Sequence, residues 1–116
     1  MRTVEDIFAH DIDIRTNSIE TVAGFLLVSQ HLVCLCQSNE LRDKAILVVA
    51  PGLKKKWEHE IPPYAGTMVA YAGEATVTGK LARSGVAPLP YAFHEVHRIT
   101  FQGPGGLTAV YEPEGA

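Results

Sequence analysis

Apolar and polar residues alternate along most of the chain, and this pattern predicts a protein built mainly from β-strands. The apolar runs are rich in valine, leucine and isoleucine, and glycine, proline, asparagine and serine separate one run from the next. Short runs with this composition are typical of strands. We predict strands over residues 20–28, 31–37, 45–50, 66–73, 74–84 and 107–112, with a hairpin where the fourth and fifth runs meet at Gly73 and Glu74.

Other segments have the spacing of short helices. Residues 3–10 place apolar side chains on one helical face, after a threonine followed three positions later by an aspartate, which is a capping-box pattern. In residues 51–61 an apolar residue recurs at every fourth position, and two prolines follow. Residues 90–102 combine a helical turn, through Phe93 and Val96, with a strand. We therefore predict two helices and one further helical turn.

One strand pattern occurs twice. TVAGFLLVS at residues 21–29 and TVTGKLARS at residues 76–84 share threonine, valine, glycine, leucine and serine at corresponding positions. Glycine inside a strand marks a bend or a close approach of another backbone. We interpret Gly24 and Gly79 as two such positions in strongly bent strands of a barrel.

The order of the elements favours one fold. Three strands, a helix and two more strands follow one another, which is the order of the OB-fold, a five-stranded Greek-key barrel. We predict a mainly β protein, of the β-rich α+β class, with an OB-like barrel. It has a short N-terminal helix, a helix between strands three and four, and an extra C-terminal strand. Residues 1–116 form a single domain in this interpretation.

The same stretches resemble a known group of proteins. TVAGFLLVS with HLVCLCQS after it, and EATVTGKLARSG leading to AFHEVHRITF, are similar to small uncharacterised bacterial OB-like proteins, including mobile gene-cassette (integron) proteins. The resemblance covers residues 19–102. It implies an OB-like barrel and a bacterial, mobile-element origin, and it brings no catalytic residues.

Composition and charge narrow the class of protein. The chain is 47% hydrophobic and 20% charged, which is typical of a globular domain rather than a disordered chain. Its formal net charge of −3 is more acidic than is usual for a general nucleic-acid binder. The acidic start has no long apolar stretch, so we predict no signal peptide, no membrane span and a cytoplasmic location. Cys34 and Cys36 are expected to be reduced.

A self-association surface is the favoured functional hypothesis. The second and third strands are apolar on both faces, and a small barrel buries only one face of each strand. Either the N-terminal helix or a second copy of the protein could cover the outer face. Because an exposed apolar patch commonly marks an interface, we expect a homodimer. Its predicted contact residues are Val33, Leu35, Ile46 and Val48.

Two binding hypotheses compete with it. Three lysines beside a tryptophan could bind phosphates and stack on a base. The helical spacing instead favours an indole that faces the core and lysines that face solvent. These residues are Lys54, Lys55, Lys56 and Trp57. A small ligand or protein partner could instead bind at a barrel mouth next to the loop between the last two barrel strands, where OB-folds bind ligands. The predicted rim comprises Tyr64, Tyr71, Lys80, Arg83 and His94.

Catalytic and metal motifs find no match. The HEVH segment lacks the spacing of the HExxH metalloprotease motif, and Cys34 and Cys36 do not form a C-x-x-C knuckle. The chain contains no G-x-S-x-G elbow and no P-loop. We therefore predict a non-enzymatic binding or interaction module with no metal and no cofactor; a single-stranded nucleic-acid binder and a small-molecule-binding protein or enzyme are the alternatives.

Overall fold

The structure is a computed structural model, and it describes residues 2–9, 18–29, 32–38, 44–60, 69–86, 89–103 and 106–112. Its elements, in chain order, are β1 (Arg2–Thr3), α1 (Val4–Ala9), β2 (Ser18–Ser29), β3 (Val33–Cys36), β4 (Ala45–Val48), α2 (Leu53–Glu60), β5 (Val69–Val86), β6 (Leu89–Gln102) and β7 (Thr108–Tyr111).

Five of the strands close into a barrel. The hydrogen-bonded order β2-β3-β4-β6-β5 returns to β2, because β2 pairs with β3 on one edge and with β5 on the other. The pairing of β4 with β6 is parallel and the other four barrel pairings are antiparallel. With α2 between the third and fourth barrel strands, this is the connectivity of an OB-like barrel. The predicted fold class is confirmed.

The hairpin expected at Gly73 and Glu74 is wrong. β5 runs through this point without a turn, as a strand of 18 residues. Its pairing with β2 continues across it, with Leu26 opposite Gly73 and Phe25 opposite Glu74. A side chain at Gly73 would meet the ring of Phe101 and the Gln102 carbonyl on β6. The glycine therefore permits a close strand contact rather than a turn.

The helical turn expected through Phe93 and Val96 is also wrong, because β6 is a continuous strand of 14 residues. Phe93 pairs with Leu81 and Val96 with Gly79, and register shifts interrupt the pairing between β5 and β6 in this region. A β-bulge adds one residue to a strand, so side chains three positions apart can point to the same face. Both side chains lie in the core, and the bulge accounts for their helix-like spacing.

Helix α2 packs against the barrel core through Leu53 and Trp57. Trp57 is fully buried, and its ring centroid lies 5.8 Å from that of Tyr71 and 5.0 Å from that of Phe101. The indole Nε1 donates to the carbonyl oxygen of Val110 at 3.4 Å. The predicted helix, with its inward tryptophan, is therefore confirmed.

The N-terminal helix begins with the predicted capping box. The backbone N–H of Thr3 donates to Oδ2 of Asp6 at 3.0 Å, and the N–H of Asp6 donates to Oγ1 of Thr3 at 3.2 Å. Val4 and Ile7 are fully buried, so α1 adds apolar side chains to the barrel core. Within the described segments, neither helix has the length and apolar character needed to cross a membrane.

Candidate functional site

A polar cleft lies on the outer face of β2, β5 and β6. Its volume is about 640 Å³, which falls within the range of small-molecule sites. Three neighbouring strands form its floor, since Phe25 of β2 pairs with Glu74 of β5, and Glu74 pairs with Gln102 of β6. Thr3 of β1 and the two residues after β3 complete the wall.

The lining of the cleft is partly apolar, and six of its residues carry uncharged hydrogen-bonding side chains. They are Thr3, Gln37, Ser38, Thr76, Thr100 and Gln102. Hydroxyls and amides each both donate and accept, so this set can match a ligand that carries many hydroxyl groups. The cleft also holds the half-buried ring of Phe25, which packs against an outer apolar cluster with Leu27 and Cys36.

The electrostatic character of the cleft is neutral to negative. Of the described residues that line it, Glu74 alone carries a charge, and its side chain is exposed. At its edge, Nε2 of Gln37 donates to Oε2 of Glu5 at 3.1 Å, which orients the amide. A polyanionic ligand would meet a carboxylate here and no compensating cation among these lining residues.

A second, more open cleft of about 740 Å³ lies between β3, β4 and the start of α2. Its lining is mainly apolar and includes Leu32 and Val49, which are 41% and 40% exposed. Lys54 and Lys55 stand at its rim. Because Nζ of Lys54 lies 2.6 Å from Oε1 of Glu58, part of this positive charge is neutralised within α2.

The predicted ligand rim does not form one site. Tyr64 lies outside the described residues. Tyr71 is fully buried against Trp57, so it cannot line a mouth. Lys80 forms an ion pair with Glu95, at 3.1 Å between Nζ and Oε2.

Two residues of that rim do come together. Nε2 of His94 lies 3.2 Å from the backbone oxygen of Arg83, and the Arg83 guanidinium lies 6.0 Å from the ring centroid of Tyr91. Neither Arg83 nor His94 lines either cleft described above. The pairing of β5 with β6 explains their proximity.

The nucleic-acid alternative loses its stacking platform. Trp57 is 0% exposed, and an indole inside the core cannot stack on a base. Lys54 is paired with Glu58, and Nζ of Lys56 donates to the Val110 carbonyl at 3.4 Å. Lys55 is exposed and lies beside the second cleft rather than a base-stacking surface.

The predicted self-association residues lie on the wrong face of their strands. Leu35 and Ile46 are 0% exposed and Val48 is 3% exposed, all three within the barrel core, while Val33 is half-buried at its edge. Because side chains alternate along a strand, the outward residues of β3 and β4 are the neighbours of these three. The homodimer itself stays a prediction, without these three residues as contacts.

Sequence reasoning missed the polar cleft. Its signal was present in the outward positions of β5 and β6, where Thr76, Thr100 and Gln102 are short or uncharged. Outward positions of a solvated strand often carry lysine or glutamate, so a run of hydroxyl and amide side chains there is informative. The registers that place these residues side by side arise only in the folded barrel.

Comparisons with known proteins found no match to this chain among protein-family models, curated proteins or solved structures. The resemblance to bacterial gene-cassette proteins therefore stays a prediction.

Proposed function

We propose that this protein is a non-enzymatic binding module that takes a neutral oligosaccharide in its polar cleft. The observation that carries the proposal is the lining of that cleft, in which hydroxyl and amide side chains share the surface with the half-buried Phe25. Small-molecule sites combine apolar surface with a few placed polar groups, and this cleft has both.

Each part of the lining matches a part of a sugar. Thr76 and Thr100 stand directly opposite each other on β5 and β6, and each hydroxyl can both donate to and accept from a sugar hydroxyl. The amide of Gln102 can donate to one sugar hydroxyl and accept from the next. The ring of Phe25 offers an apolar surface for the C–H face of a sugar ring.

The charge of the cleft favours a neutral ligand over a nucleic acid. Binding to a phosphate backbone depends on lysine and arginine contacts, whereas the described lining contains one carboxylate, Glu74, and no cation. The carboxylate of Glu74 can accept from a pair of sugar hydroxyls, in charge-assisted hydrogen bonds that are stronger than neutral ones.

The cleft differs in position from the usual ligand face of OB barrels. Those barrels bind on their second and third strands, which here are β3 and β4. In this chain the cleft lies on β2, β5 and β6. The proposal rests on the residues of the cleft and draws nothing from the ligands of other OB barrels.

The test is a titration of the purified protein with neutral oligosaccharides of glucose, xylose, mannose and N-acetylglucosamine, followed by thermal unfolding and by calorimetry. We expect one class to raise the melting temperature, because a ligand at 100 times its Kd stabilises the native state by about 2.7 kcal/mol. Phe25→Ala and Gln102→Ala should each weaken binding about tenfold or more, since tenfold corresponds to about 1.4 kcal/mol.

A matched substitution outside the cleft provides the control. Glu112 is exposed and does not line the cleft, so Glu112→Gln should leave the affinity unchanged while Thr100→Ala and Glu74→Gln lower it. If heparin or single-stranded DNA bound better than every neutral oligosaccharide, or if the control and the cleft variants behaved alike, the proposal would be rejected.

A further inference from the structure

The two cysteines lie side by side on the outer face of the barrel. Cys34 and Cys36 are alternate residues of β3, so their side chains leave the strand on the same side. Their sulfur atoms are 4.0 Å apart. The sulfur atoms of a disulfide are about 2.05 Å apart, so the pair stands at roughly twice that separation and is reduced.

The sheet holds both cysteines at this spacing. On one edge of β3, Cys34 pairs with Leu27 of β2, and on the other it pairs with Leu47 of β4. Cys36 is paired on the same two edges. Bringing the sulfur atoms into bonding distance would require the strand to distort against both neighbours. The two thiols are therefore fixed as a pair rather than poised to form a disulfide.

We infer that Cys34 and Cys36 form a chelating site for a soft, thiophilic cation of the Cu(I) type. Two cation–sulfur bonds of about 2.3 Å, the length of a zinc–thiolate bond, reach sulfur atoms 4.0 Å apart when they meet at an angle of about 120°. This angle is wider than the tetrahedral one, so it fits a cation with fewer than four ligands. On binding, each thiol releases its proton, so a singly charged cation and two thiolates give a complex of net charge −1.

The surroundings select against other cations. Thiolate ligands favour Cu(I) and zinc, whereas magnesium and calcium require oxygen ligands. Structural zinc sites use four protein ligands, and in the described part of the chain no cluster of three or more histidine, cysteine or acidic residues occurs. Phe25, Leu27 and Ala45 pack around the cysteines in an outer apolar cluster. Two sulfur ligands match a soft ion.

The cation reaches the site from the side of Cys34. That residue is half-buried, whereas Cys36 is 1% exposed. Leu47, the partner of Cys34 on β4, is also half-buried, so the approach is apolar. The spacing of the two cysteines is not that of a zinc knuckle, so their sequence predicts no metal role. The proposed metal-binding role follows from the strand geometry, which places both thiols on one face.

The experiment titrates the reduced, full chain with Cu(I) under anaerobic conditions, in competition with a chromophoric Cu(I) chelator. We expect one Cu(I) per chain, release of two protons, and two sulfur ligands by X-ray absorption. Cys34→Ser and Cys36→Ser should each weaken binding by more than the roughly 100-fold that loss of an outer-shell partner can cost. The double variant Cys34→Ser/Cys36→Ser measures any binding elsewhere on the chain, and Zn²⁺ in place of Cu(I) should bind far more weakly.

Three results would overturn the inference: equal affinity of the native chain and both single variants, two Cu(I) ions bound independently per chain, or Zn²⁺ binding as tight as Cu(I). Circular dichroism establishes that each variant is folded. Should Cys36→Ser not fold, because Cys36 is buried, Cys36→Ala replaces it. The half-buried Cys34→Ser variant decides the question if neither Cys36 variant folds.

Discussion

Gly24 and Gly79 occupy equivalent positions around one residue pair. Val22 and Val77 stand directly opposite each other in the pairing of β2 with β5, and each glycine follows its valine by two residues. A side chain at Gly24 would meet the Cys36 carbonyl on β3, and one at Gly79 would meet a carbonyl on β6. The repeated sequence pattern therefore marks two places where a neighbouring strand approaches too closely for a Cβ atom.

This geometry predicts that Gly79→Val strongly destabilises the protein. The Cβ would meet the backbone of Glu95 and Val96, which cannot move aside as a flexible side chain can. Overpacking costs about 1–3 kcal/mol, occasionally more, and we expect a loss of about 3 kcal/mol in the free energy of unfolding. Urea denaturation followed by circular dichroism measures it.

The matched control for that experiment is Ala23→Val. Ala23 lies on β2 next to Gly24, is half-buried and faces the polar cleft, so its variant carries the same β-branched side chain at a position that already has a Cβ atom. We expect a change within about 0.5 kcal/mol, as at ordinary surface positions. Equal stability of the two variants would mean that β6 does not approach Gly79 as described.

At the scale of elements, hydrogen bonds from β7 hold helix α2 against the barrel. The hydroxyl of Tyr111 donates to the backbone oxygen of Pro51 at 2.9 Å, just before α2 begins. The backbone oxygen of Val110 accepts from Trp57 and Lys56 of α2. A strand of four residues thus supplies polar contacts to a helix that otherwise packs through apolar side chains.

The Tyr111→Phe variant tests the hydrogen bond to Pro51 through the pH dependence of stability. Burial raises the pKa of the Tyr111 phenol above its ordinary value of 10.0. In the unfolded chain the phenol ionises near that value, whereas in the folded chain it keeps its proton. Its contribution to stability is therefore constant below about pH 10 and falls as the pH rises toward the folded pKa.

We expect Tyr111→Phe to lower the unfolding free energy by about 1 kcal/mol at pH 7, the usual net value of a lost hydrogen bond. Above about pH 10 the gap between the native chain and the variant should narrow, because only the native chain carries the linked proton. Urea denaturation of both proteins at a series of pH values measures that gap. A gap that stayed constant up to about pH 11 would contradict a neutral, buried phenol.

Element order and helix positions were predictable from the sequence, but strand continuity was not. The local pattern at Gly73 fits a hairpin, and the spacing of Phe93 and Val96 fits a helical turn. Each of these predictions depends on one segment of the sequence alone. In the barrel, β2 stays paired along the whole of this region of β5. Bulges between β5 and β6 shift the alternation. These long-range pairings decide the outcome, and a single segment carries little information about them.

At the scale of the whole molecule, closure of the barrel decides which face of each strand is buried. β3 and β4 are apolar on both faces, so their sequence alone does not distinguish inside from outside. The pairing of Leu35 with Ile46, and of Ile46 with Tyr91, places one layer of side chains in the core. For the same reason the signal in the outward positions of β5 and β6 does not by itself locate the cleft, since the residues of the cleft come from five separate segments.

The assignment of inside and outside can be tested by placing the same charge on either face of the β3–β4 pair. Leu35 is fully buried in the core, and Leu47 is half-buried on the outer face. A carboxylate at position 35 would lose its hydration, at an effective cost of several kcal/mol. It would also lose about 1.5–3 kcal/mol of apolar burial.

Because small domains are stable by only about 5–15 kcal/mol, we expect Leu35→Glu to abolish the cooperative unfolding transition at neutral pH. Leu47→Glu should retain the transition and lose about 1 kcal/mol. Thermal unfolding by circular dichroism distinguishes the two, and the opposite ranking would require β3 and β4 to face the other way in the barrel.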